Sequence, residues 1–463
     1  MKNYSKNSTP TKHTRIPSKF EINSSTGKKV VASFDGGLIS SDAGAVLLSA
    51  AEEKLGIVST LAGCIKDRRA QGKIIHTLED MLTQRIIQVA CGYEDLNDSA
   101  QLLKDPILKL IGGRTPQKGR NLASAPTLCR FENSITRAEL LKMGSAFIER
   151  FIQSRKNKPP KVITIDLDAT DDKTHGQQEF SFYHGYYRCY CFLPLVVTAS
   201  CDDSKEFAPI SAILRPGNVH ASNGAITVLR RVFDALKKAF PAARIIIRGD
   251  CGFSVPEIYN WLEERGIKYV IGMPRNSRLM ELGVELRRAA GDLYEEEGEK
   301  VRIFEDYQYA AFTWKKPRRI IYKAERMPQG ENNRFVVTNI EDLDPQDIYD
   351  GLYVRRGEME NRIKELKNGL FMDRTSCSGF LTNQFRVLLS LAAFLLFQEI
   401  RRHLKGTGLE NAQTPTIRAR LLKIGALVKE TARKIFIHFS SAFALQKLFW
   451  RILNRLRGSP IPL

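Results

Sequence analysis

The spacing of apolar residues first indicates a helical region from about residue 40 to 155. The apolar run Val46–Leu48 follows a polar stretch, and Leu78–Val89 has helical periodicity that ends before Gly92. Asp98 and its polar neighbours provide capping chemistry for another helix. The pattern therefore predicts helices here, which could form a DNA-binding or dimerisation domain or serve as plain scaffold.

From about residue 161 to 275 the pattern becomes that of alternating strands and helices. A β-branched strand at Val162–Ile165 is followed by two aromatic-rich strand candidates. These two candidates are Phe180–Tyr190 and Phe192–Ala199. They are followed by the helix Ala225–Ala239, the strand Arg244–Ile247, the helix Val255–Arg265 and the strand Lys268–Ile271. The order βββαβαβ predicts an α/β fold with a mixed sheet.

The last part of the chain reads as short strands followed by helices. Between residues 276 and 344 the alternating segments are Val301–Phe304, Tyr307–Phe312, Arg319–Tyr322 and Phe335–Thr338. These segments predict a small β insertion. From Pro345 to the end the pattern is helical, opening on the cap pair Asp344-Pro345, and Val387–Phe397 reads as a buried helix.

The charge of the chain narrows the class of partner. The 463 residues include 71 Lys and Arg and 51 Asp and Glu, which gives a net charge of +20 and a pI near 9.6. Such an excess favours a polyanion, because each neutralised phosphate releases counterions. The segment after Arg374 is especially basic and is a candidate phosphate-binding surface.

The N-terminal segment, the lengths of the apolar runs and the cysteines argue against a secreted, a membrane-spanning or a zinc-binding protein. Residues 1–39 begin with a polar, basic stretch without a signal peptide, which predicts a disordered arm that contacts phosphates or is simply solvated. No stretch reaches the roughly 18 apolar residues of a membrane span. The eight cysteines contain no CxxC pair, and Cys189 and Cys191 lack partners for a zinc pattern. We expect reduced thiols in a cytoplasmic protein with no membrane partner.

Two strand ends carry acidic residues. In Ile165–Thr170 the carboxylates of Asp166 and Asp168 alternate and so project to one face of the strand. Asp250 follows the apolar strand Ile245–Ile247 and is flanked by glycines. Carboxyl ends of strands are where α/β sheets place their sites, although a solvated strand end gives the same pattern. The Arg-Gly-Asp triplet does not indicate an adhesion loop without a secretory signal.

A third acidic group lies on a predicted helix. Tyr353, Arg356, Glu360 and Lys367 follow one another at separations of three, four and seven. On a helix, Arg356, Glu360 and Lys367 fall within roughly 60° of one another, so basic groups flank a carboxylate. A surface of helical ion pairs is the alternative, since Lys364 and two further glutamates share this helix.

The three elements together suggest a carboxylate triad that binds two divalent cations. Two metal ions about 4 Å apart can activate an attacking oxygen and stabilise the leaving one. Ligands that are all hard oxygens favour Mg²⁺ or Mn²⁺. Neighbouring Arg and Lys side chains would hold phosphates beside the ions.

These residues resemble the signature of the bacterial insertion-sequence transposases of the DDE superfamily, closest to insertion-sequence family thirteen-eighty. Tyr353, Arg356, Glu360 and Lys367 match the family's Tyr-Arg-Glu-Lys helix pattern without a gap. The resemblance extends from about Ser41 to about Arg402. Further runs similar to the family are Gly92–Asp98, Gly176–Glu179, Tyr186-Tyr187, Leu214–Asn218, Asp373–Cys377 and Asn383–Arg386.

The resemblance implies a fold and a set of roles. It implies an RNase H-like core interrupted by a β insertion, with Asp168, Asp250 and Glu360 as catalytic residues and ligands of two Mg²⁺ or Mn²⁺ ions. Asp168 precedes a small residue and Thr as in the superfamily, so we prefer it to Asp166. The DNA-binding residues implied are Tyr353, Arg356, Lys364, Lys367 and Arg374.

The implied activity is DNA cleavage at terminal inverted repeats and strand transfer into target DNA. A homodimeric synaptic complex in the bacterial cytoplasm, at the nucleoid, is implied as well. Trp314 or Tyr309 could receive a base flipped at the cleavage end, with core packing as the alternative. A structure-selective nuclease or resolvase, or a DNA-binding regulator without catalysis, remains an alternative function.

The predicted organisation has six parts. They are the basic arm (1–39), the helical domain (40–155), the first part of the catalytic core (156–275), the β insertion (276–344), the glutamate helix of the core (345–378) and a basic helical C-terminal region (379–463).

Overall fold

The structure, a computed structural model, describes residues 19–202, 204 and 206–458, and it opens with three short strands. They are β1 (Lys19–Ile22), β2 (Val30–Ser33) and β3 (Ile39–Ser40). β1 and β2 form an antiparallel hairpin, in which Lys19 pairs with Ser33 and Ile22 with Val30. Residues 1–18 of the predicted disordered arm lie outside the described residues, and the remainder forms this ordered hairpin instead.

Seven helices follow, as the periodicity predicts for residues 40–155. They are α1 (Val46–Leu55), α2 (Ile57–Gly63), α3 (Leu78–Cys91), α4 (Asp98–Leu102), α5 (Pro106–Ile111), α6 (Ala125–Asn133) and α7 (Arg137–Arg155). Thr77 begins α3 with a reciprocal cap, its hydroxyl accepting from Asp80 N at 3.1 Å while the Asp80 carboxylate accepts from Thr77 N at 2.9 Å. Gly92, at φ 96°, ends α3 in the left-handed conformation that favours glycine.

The central sheet begins at residue 162. Its region contains β4 (Val162–Ala169), β5 (Asp172–Lys173), β6 (Phe182–His184), β7 (Cys189–Phe192), β8 (Leu195–Cys201), β9 (Ala208–Ile213), α8 (Ala225–Ala239), β10 (Arg244–Gly249), α9 (Pro256–Glu263) and β11 (Lys268–Met273). Strands β9, β8, β4, β10 and β11 lie side by side in that order. β4, β10 and β11 are parallel, whereas β8 pairs antiparallel with both β4 and β9. The α/β mixed-sheet prediction is confirmed.

The strand predicted over Phe180–Tyr190 is two short strands instead. β6 and β7 pair with β5 in a separate three-stranded sheet. Arg188, at φ 54°, turns the chain between them, which a single extended strand would not allow.

Residues 277–338 add two helices and extend the sheet. They form α10 (Ser277–Leu282), α11 (Val284–Glu297), β12 (Val301–Tyr309), β13 (Arg318–Met327), β14 (Gly330–Glu331) and β15 (Arg334–Thr338). β15 pairs antiparallel with β11, so the strands of this segment continue the central sheet. The two strands predicted at 301–304 and 307–312 are one continuous strand, and the helices α10 and α11 were not predicted.

The C-terminal part is mostly helical. The helix α12 (Gly357–Lys364) follows a π-helical segment (Asp347–Tyr353) and a 3₁₀ turn (Val354–Arg356), and a second π-helical segment (Glu365–Gly369) comes after it. The next elements are α13 (Phe380–Arg402), α14 (Thr414–Ile417) and a third π-helical segment (Arg418–Leu422). They are followed by β16 (Ala426–Glu430), β17 (Ile435–Phe439) and α15 (Gln446–Arg457). The prediction of an all-helical tail is wrong at β16 and β17, which pair with each other and with β3. Their side chains alternate between more and less buried, as expected for strands.

Two apolar cores lie on opposite faces of the central sheet. Ile163, Ile165 and Leu167 of β4 pack into the core shared with α8 and α9. The other core centres on α13, which packs against α1, α3 and α7. By length and composition α13 could cross a membrane, but 78% of its most apolar window is buried inside the fold. It therefore behaves as the core helix that the sequence predicts.

Candidate active site

Asp168 and Asp250 lie at the carboxyl ends of neighbouring parallel strands. Asp168 is the penultimate residue of β4, and Asp250 follows β10 directly. Asp250 accepts a hydrogen bond from Gly252 N at 2.9 Å, which fixes the single helical turn Cys251–Phe253. A Cβ at position 252 would lie 2.7 Å from the Cβ of Ala221, so glycine is required there. The two aspartates thus occupy a rigid strand edge.

Glu360 reaches the same place from α12, and one arginine joins all three acids. Nη1 of Arg356 lies 3.0 Å from Oε1 of Glu360. Nη2 of Arg356 lies 3.3 Å from Oδ1 of Asp168 and 3.7 Å from Oδ2 of Asp250. The Arg356 side chain is 10% exposed, whereas that of Glu360 is 53% exposed. Three carboxylates distant in the chain therefore converge on one buried guanidinium.

The electrostatics of this cluster are those of a crowded acidic site. Burial raises the pKa of Asp168 to about 7, because desolvation outweighs the favourable charge of Arg356, and Asp250 and Glu360 raise it further. Burial alone would lower the pKa of Arg356, but the surrounding acids raise it above its ordinary value. The acids hold the arginine in its charged form, and the cluster is short of positive charge.

Asp166 takes no part in this cluster. It is fully buried and forms a bidentate ion pair with Arg248 at 2.6 and 2.7 Å. Arg248 also donates to the carbonyl oxygen of Leu352 at 2.6 Å, which ties β10 to the π-helical segment before α12. The geometry brings Asp168, rather than Asp166, together with Asp250 and Glu360.

Lys367 and Tyr353 border the acids through other contacts. Nζ of Lys367 donates to Oδ1 of Asp171 at 2.9 Å and to the carbonyl oxygen of Asp171 at 2.7 Å. Burial raises the pKa of Tyr353. Its hydroxyl lies where a Cβ at Gly272 would come within 2.4 Å, so β11 needs glycine at this point.

The other sequence-predicted residues lie further out. Arg374 pairs with Asp95 at 3.1 Å, and Lys364 is exposed on α12. Trp314 packs edge-on against the rings of Tyr259 and Tyr309, in agreement with core packing. The eight cysteines are all free thiols, and none lies in the acidic cluster.

Several runs that suggested the resemblance meet around the acids. Gln178 donates to the carbonyl oxygens of Thr375 and, at 2.9 Å, Cys377. The Thr375 hydroxyl in turn donates to the buried carboxylate of Asp172 at 2.8 Å. The sequence alone assigns no role to these runs, and Arg248 stands out in it only as part of the Arg-Gly-Asp triplet. Only the match to the family's motifs indicated these residues, because contacts between residues some 200 positions apart produce no periodic pattern in the sequence.

The donor chemistry fits a hard divalent cation. The three converging groups are carboxylates, which are preferred ligands of Mg²⁺ and Mn²⁺. Within residues 19–202, 204 and 206–458, no group of three or more His, Cys, Asp or Glu side chains is arranged so that it could hold a metal ion. The positive charge at the centre of the acids is that of Arg356. A cation that binds there must share or replace this contact.

Comparison with known proteins identifies the family of the chain. No curated protein matches the chain. A family model described as transposase DDE domain group 1 matches residues 22–461, nearly the whole chain. The chain belongs to the DDE transposase family.

Proposed function

We propose that this transposase cleaves DNA at the terminal inverted repeats of its element and joins the freed ends to target DNA by cut and paste. We also propose that it belongs to insertion-sequence family thirteen-eighty. The observation that supports the activity most strongly is the convergence of Asp168, Asp250 and Glu360 on Arg356. Three acids beside one another, with basic side chains around them, suit the chemistry of phosphodiesters.

Asp168, Asp250 and Glu360 would hold two Mg²⁺ or Mn²⁺ ions. Bound ions would supply positive charge that activates the attacking oxygen and stabilises the leaving one. The raised pKa of Asp168 supports this assignment, because a crowded, buried carboxylate gains most from added positive charge. Asp250 is fixed by Gly252 N, so its carboxylate is already oriented for a ligand.

The surrounding side chains would bind and orient the DNA. Arg356 and Lys367 would hold phosphates near the scissile bond, and Tyr353 would orient one of them. Lys364 and Arg374 would bind the flanking backbone, where both are exposed. These contacts would select for phosphate spacing and leave sequence recognition to other parts of the chain.

The reaction would proceed as two displacements at phosphorus. In the first, the oxygen of water attacks the phosphorus at the end of the element and the bond to the 3′ oxygen breaks. A 3′-hydroxyl and a 5′-phosphate result. In the second, this 3′-hydroxyl attacks a phosphodiester of the opposite strand or of target DNA and displaces another 3′-hydroxyl. Neither step needs a covalent bond between protein and DNA.

The proposed partners follow from the two ends that must be joined. They are double-stranded DNA, as terminal repeats and as target, and a second copy of the chain in a synaptic homodimer. The net charge of +20 supports binding to DNA. We propose that the protein acts in the bacterial cytoplasm, at the nucleoid.

The substitution Asp250→Asn tests the catalytic assignment. We expect it to abolish strand cleavage and leave binding to the DNA ends largely intact, because it removes one ligand charge and preserves the shape. The measurement is cleavage of labelled DNA with Mg²⁺ next to binding by fluorescence anisotropy. Asp234→Asn, at an exposed position of α8, is the matched control. Cleavage by Asp250→Asn at the wild-type rate would contradict the assignment.

A further inference from the structure

A basic cleft lies on the same face of the central sheet as the acids. Val162 and Thr164 of β4 share a face with Asp168, since every second residue of a strand does. The register places Ser200 of β8 and Ile246 of β10 on either side of Thr164. These residues form the floor of a cleft of about 620 Å³.

Cations line the rim of this cleft, which we call the lower cleft. Lys158 and Lys161, in the segment between α7 and β4, are exposed there. Arg244 of β10 and Arg355 line its other sides. Asp202 is the acid among the described lining residues, and its Oδ1 accepts from the backbone N–H groups of Lys161 and Val162 at 3.0 Å. The lining therefore has an excess of positive charge above a floor with two hydroxyls, those of Thr164 and Ser200.

The pair of Arg248 and Asp166 separates the lower cleft from the acids. It lies two register rows beyond Thr164 toward the acids, and Arg248 donates to the carbonyl oxygen of Leu352. Arg355 lines the lower cleft, while its neighbour Arg356 contacts the three acids. Thr164 and Asp168 are four strand residues apart, about 13 Å. That distance equals the rise of about four base pairs along the axis of a duplex.

We propose that the lower cleft binds backbone phosphates of the DNA whose scissile bond lies at the acids. The proposal rests on the proposed function and adds a contact point for the same DNA. The lower cleft and the acids lie about 13 Å apart on one sheet face, so one DNA backbone can contact both, on either side of the Arg248–Asp166 pair. Such contacts position DNA without reading its bases. A free phosphate ion or mononucleotide has the same chemistry, and the test must tell these sources apart.

The test compares two double variants of the full chain. Lys158→Gln/Lys161→Gln removes two charges from the lower cleft. Lys142→Gln/Lys238→Gln removes two charges from exposed positions of α7 and α8 and is the matched control. Binding to a fluorescein-labelled duplex of arbitrary sequence is measured by anisotropy in EDTA over a range of KCl concentrations. The cleft variant should lower the slope of log K against log salt by about one to two, since each lost phosphate contact contributes about 0.9. The control should leave the slope unchanged.

Lysine acetylation read by mass spectrometry distinguishes the ligand. The duplex should protect Lys158 and Lys161 in the wild-type protein, and inorganic phosphate alone should not. Equal protection by phosphate would assign the lower cleft to a small anion and overturn the proposal. Equal salt slopes for both double variants would overturn it as well. Neither result bears on the acids, because the assay contains no metal; failure of cleavage would instead count against the proposed function.

Discussion

Arg356 determines the charge state of the acidic cluster. It is the cation that contacts Asp168, Asp250 and Glu360 together, at 3.3, 3.7 and 3.0 Å. A divalent ion bound by these acids would have to compete with the guanidinium for the same oxygens. We propose that Arg356 has two functions in succession, as counter-ion of the acids and as a phosphate contact once cations and DNA are bound.

The substitution Arg356→Gln tests this competition. We expect Mn²⁺ to bind at least about tenfold more tightly in the absence of DNA, because a competing charge is removed, which corresponds to about 1.4 kcal/mol. Electron paramagnetic resonance of free Mn²⁺ measures the affinity. Lys364→Gln, exposed on the same helix, removes an equal charge without contacting the acids and is the control. Unchanged or weaker Mn²⁺ binding by Arg356→Gln would show that the arginine does not compete.

Asp172 gives the fold a dependence on pH. Burial raises the pKa of this carboxyl from 3.8 to about 7, although the hydroxyl of Thr375 donates to it. A raised pKa in the folded state gives stability that is present below pH 4 and is lost as the pH rises through 7. The loss amounts to roughly 4 kcal/mol for this group.

Asp172→Asn should therefore remove much of that loss. Urea unfolding in EDTA should show that the variant gains on the wild type as the pH rises from about 4 to 8, because Asn stays neutral and its Oδ1 still accepts from Thr375. The exposed Asp234→Asn serves as control and should follow the wild type. A stability difference that stays constant over this range would contradict the raised pKa.

At the scale of elements, a buried ion triad links three helices. Glu132 of α6 is fully buried and accepts from Nε of Arg85 on α3 at 2.7 Å and from Nε of Arg386 on α13 at 3.0 Å. This contact fixes the N-terminal helices against α13. Because α13 also packs against the sheet, the triad stabilises the helical region relative to the acids.

Glu132→Gln should destabilise the protein by about 3–5 kcal/mol, since two buried guanidinium groups lose their counter-charge. The free energy of unfolding in urea measures the effect. Glu53→Gln, at a glutamate whose side chain is 60% exposed, should change it by less than about 1 kcal/mol. Equal effects of the two substitutions would show that the triad is not an important tie.

The predictable elements were those with a strong local period. The helices of residues 46–155, the strands β4, β10 and β11 and the helices α8 and α9 follow from apolar spacing and turn residues. The hairpin β16–β17 was missed because its apolar runs Ala426–Val428 and Ile435–Ile437 do not alternate with polar residues as the sequence signal of a strand requires. The pairing of β15 with β11 could not be predicted, because nothing local in either strand specifies a partner about 65 residues away.

The sequence indicated which residues form the candidate site, but it did not indicate the contacts between them. Strand ends and helical spacing indicated Asp168, Asp250 and Glu360, and the motif match favoured Asp168 over Asp166. The separate pairing of Asp166 with Arg248 explains why the two aspartates differ, and it depends on the register of β4 and β10. The contact of one arginine with all three acids likewise required the tertiary structure.

At the scale of the whole molecule, acids and basic surfaces have separate places. The chain has a net charge of +20, yet the three acids converge at one sheet edge. A basic protein with a small acidic centre is suited to hold DNA broadly and to concentrate cations at one bond.

The measurement that tests the central claim most directly is a combined cleavage and joining assay. It uses labelled DNA with the inverted repeats that flank the gene, an unlabelled target plasmid, and either Mg²⁺ or EDTA. We predict nicking at the repeat boundary followed by joining to the plasmid with Mg²⁺, and neither product with EDTA. Nicking without joining would indicate a structure-selective nuclease. Binding to the repeats with no cleavage in Mg²⁺ or Mn²⁺ would contradict the account.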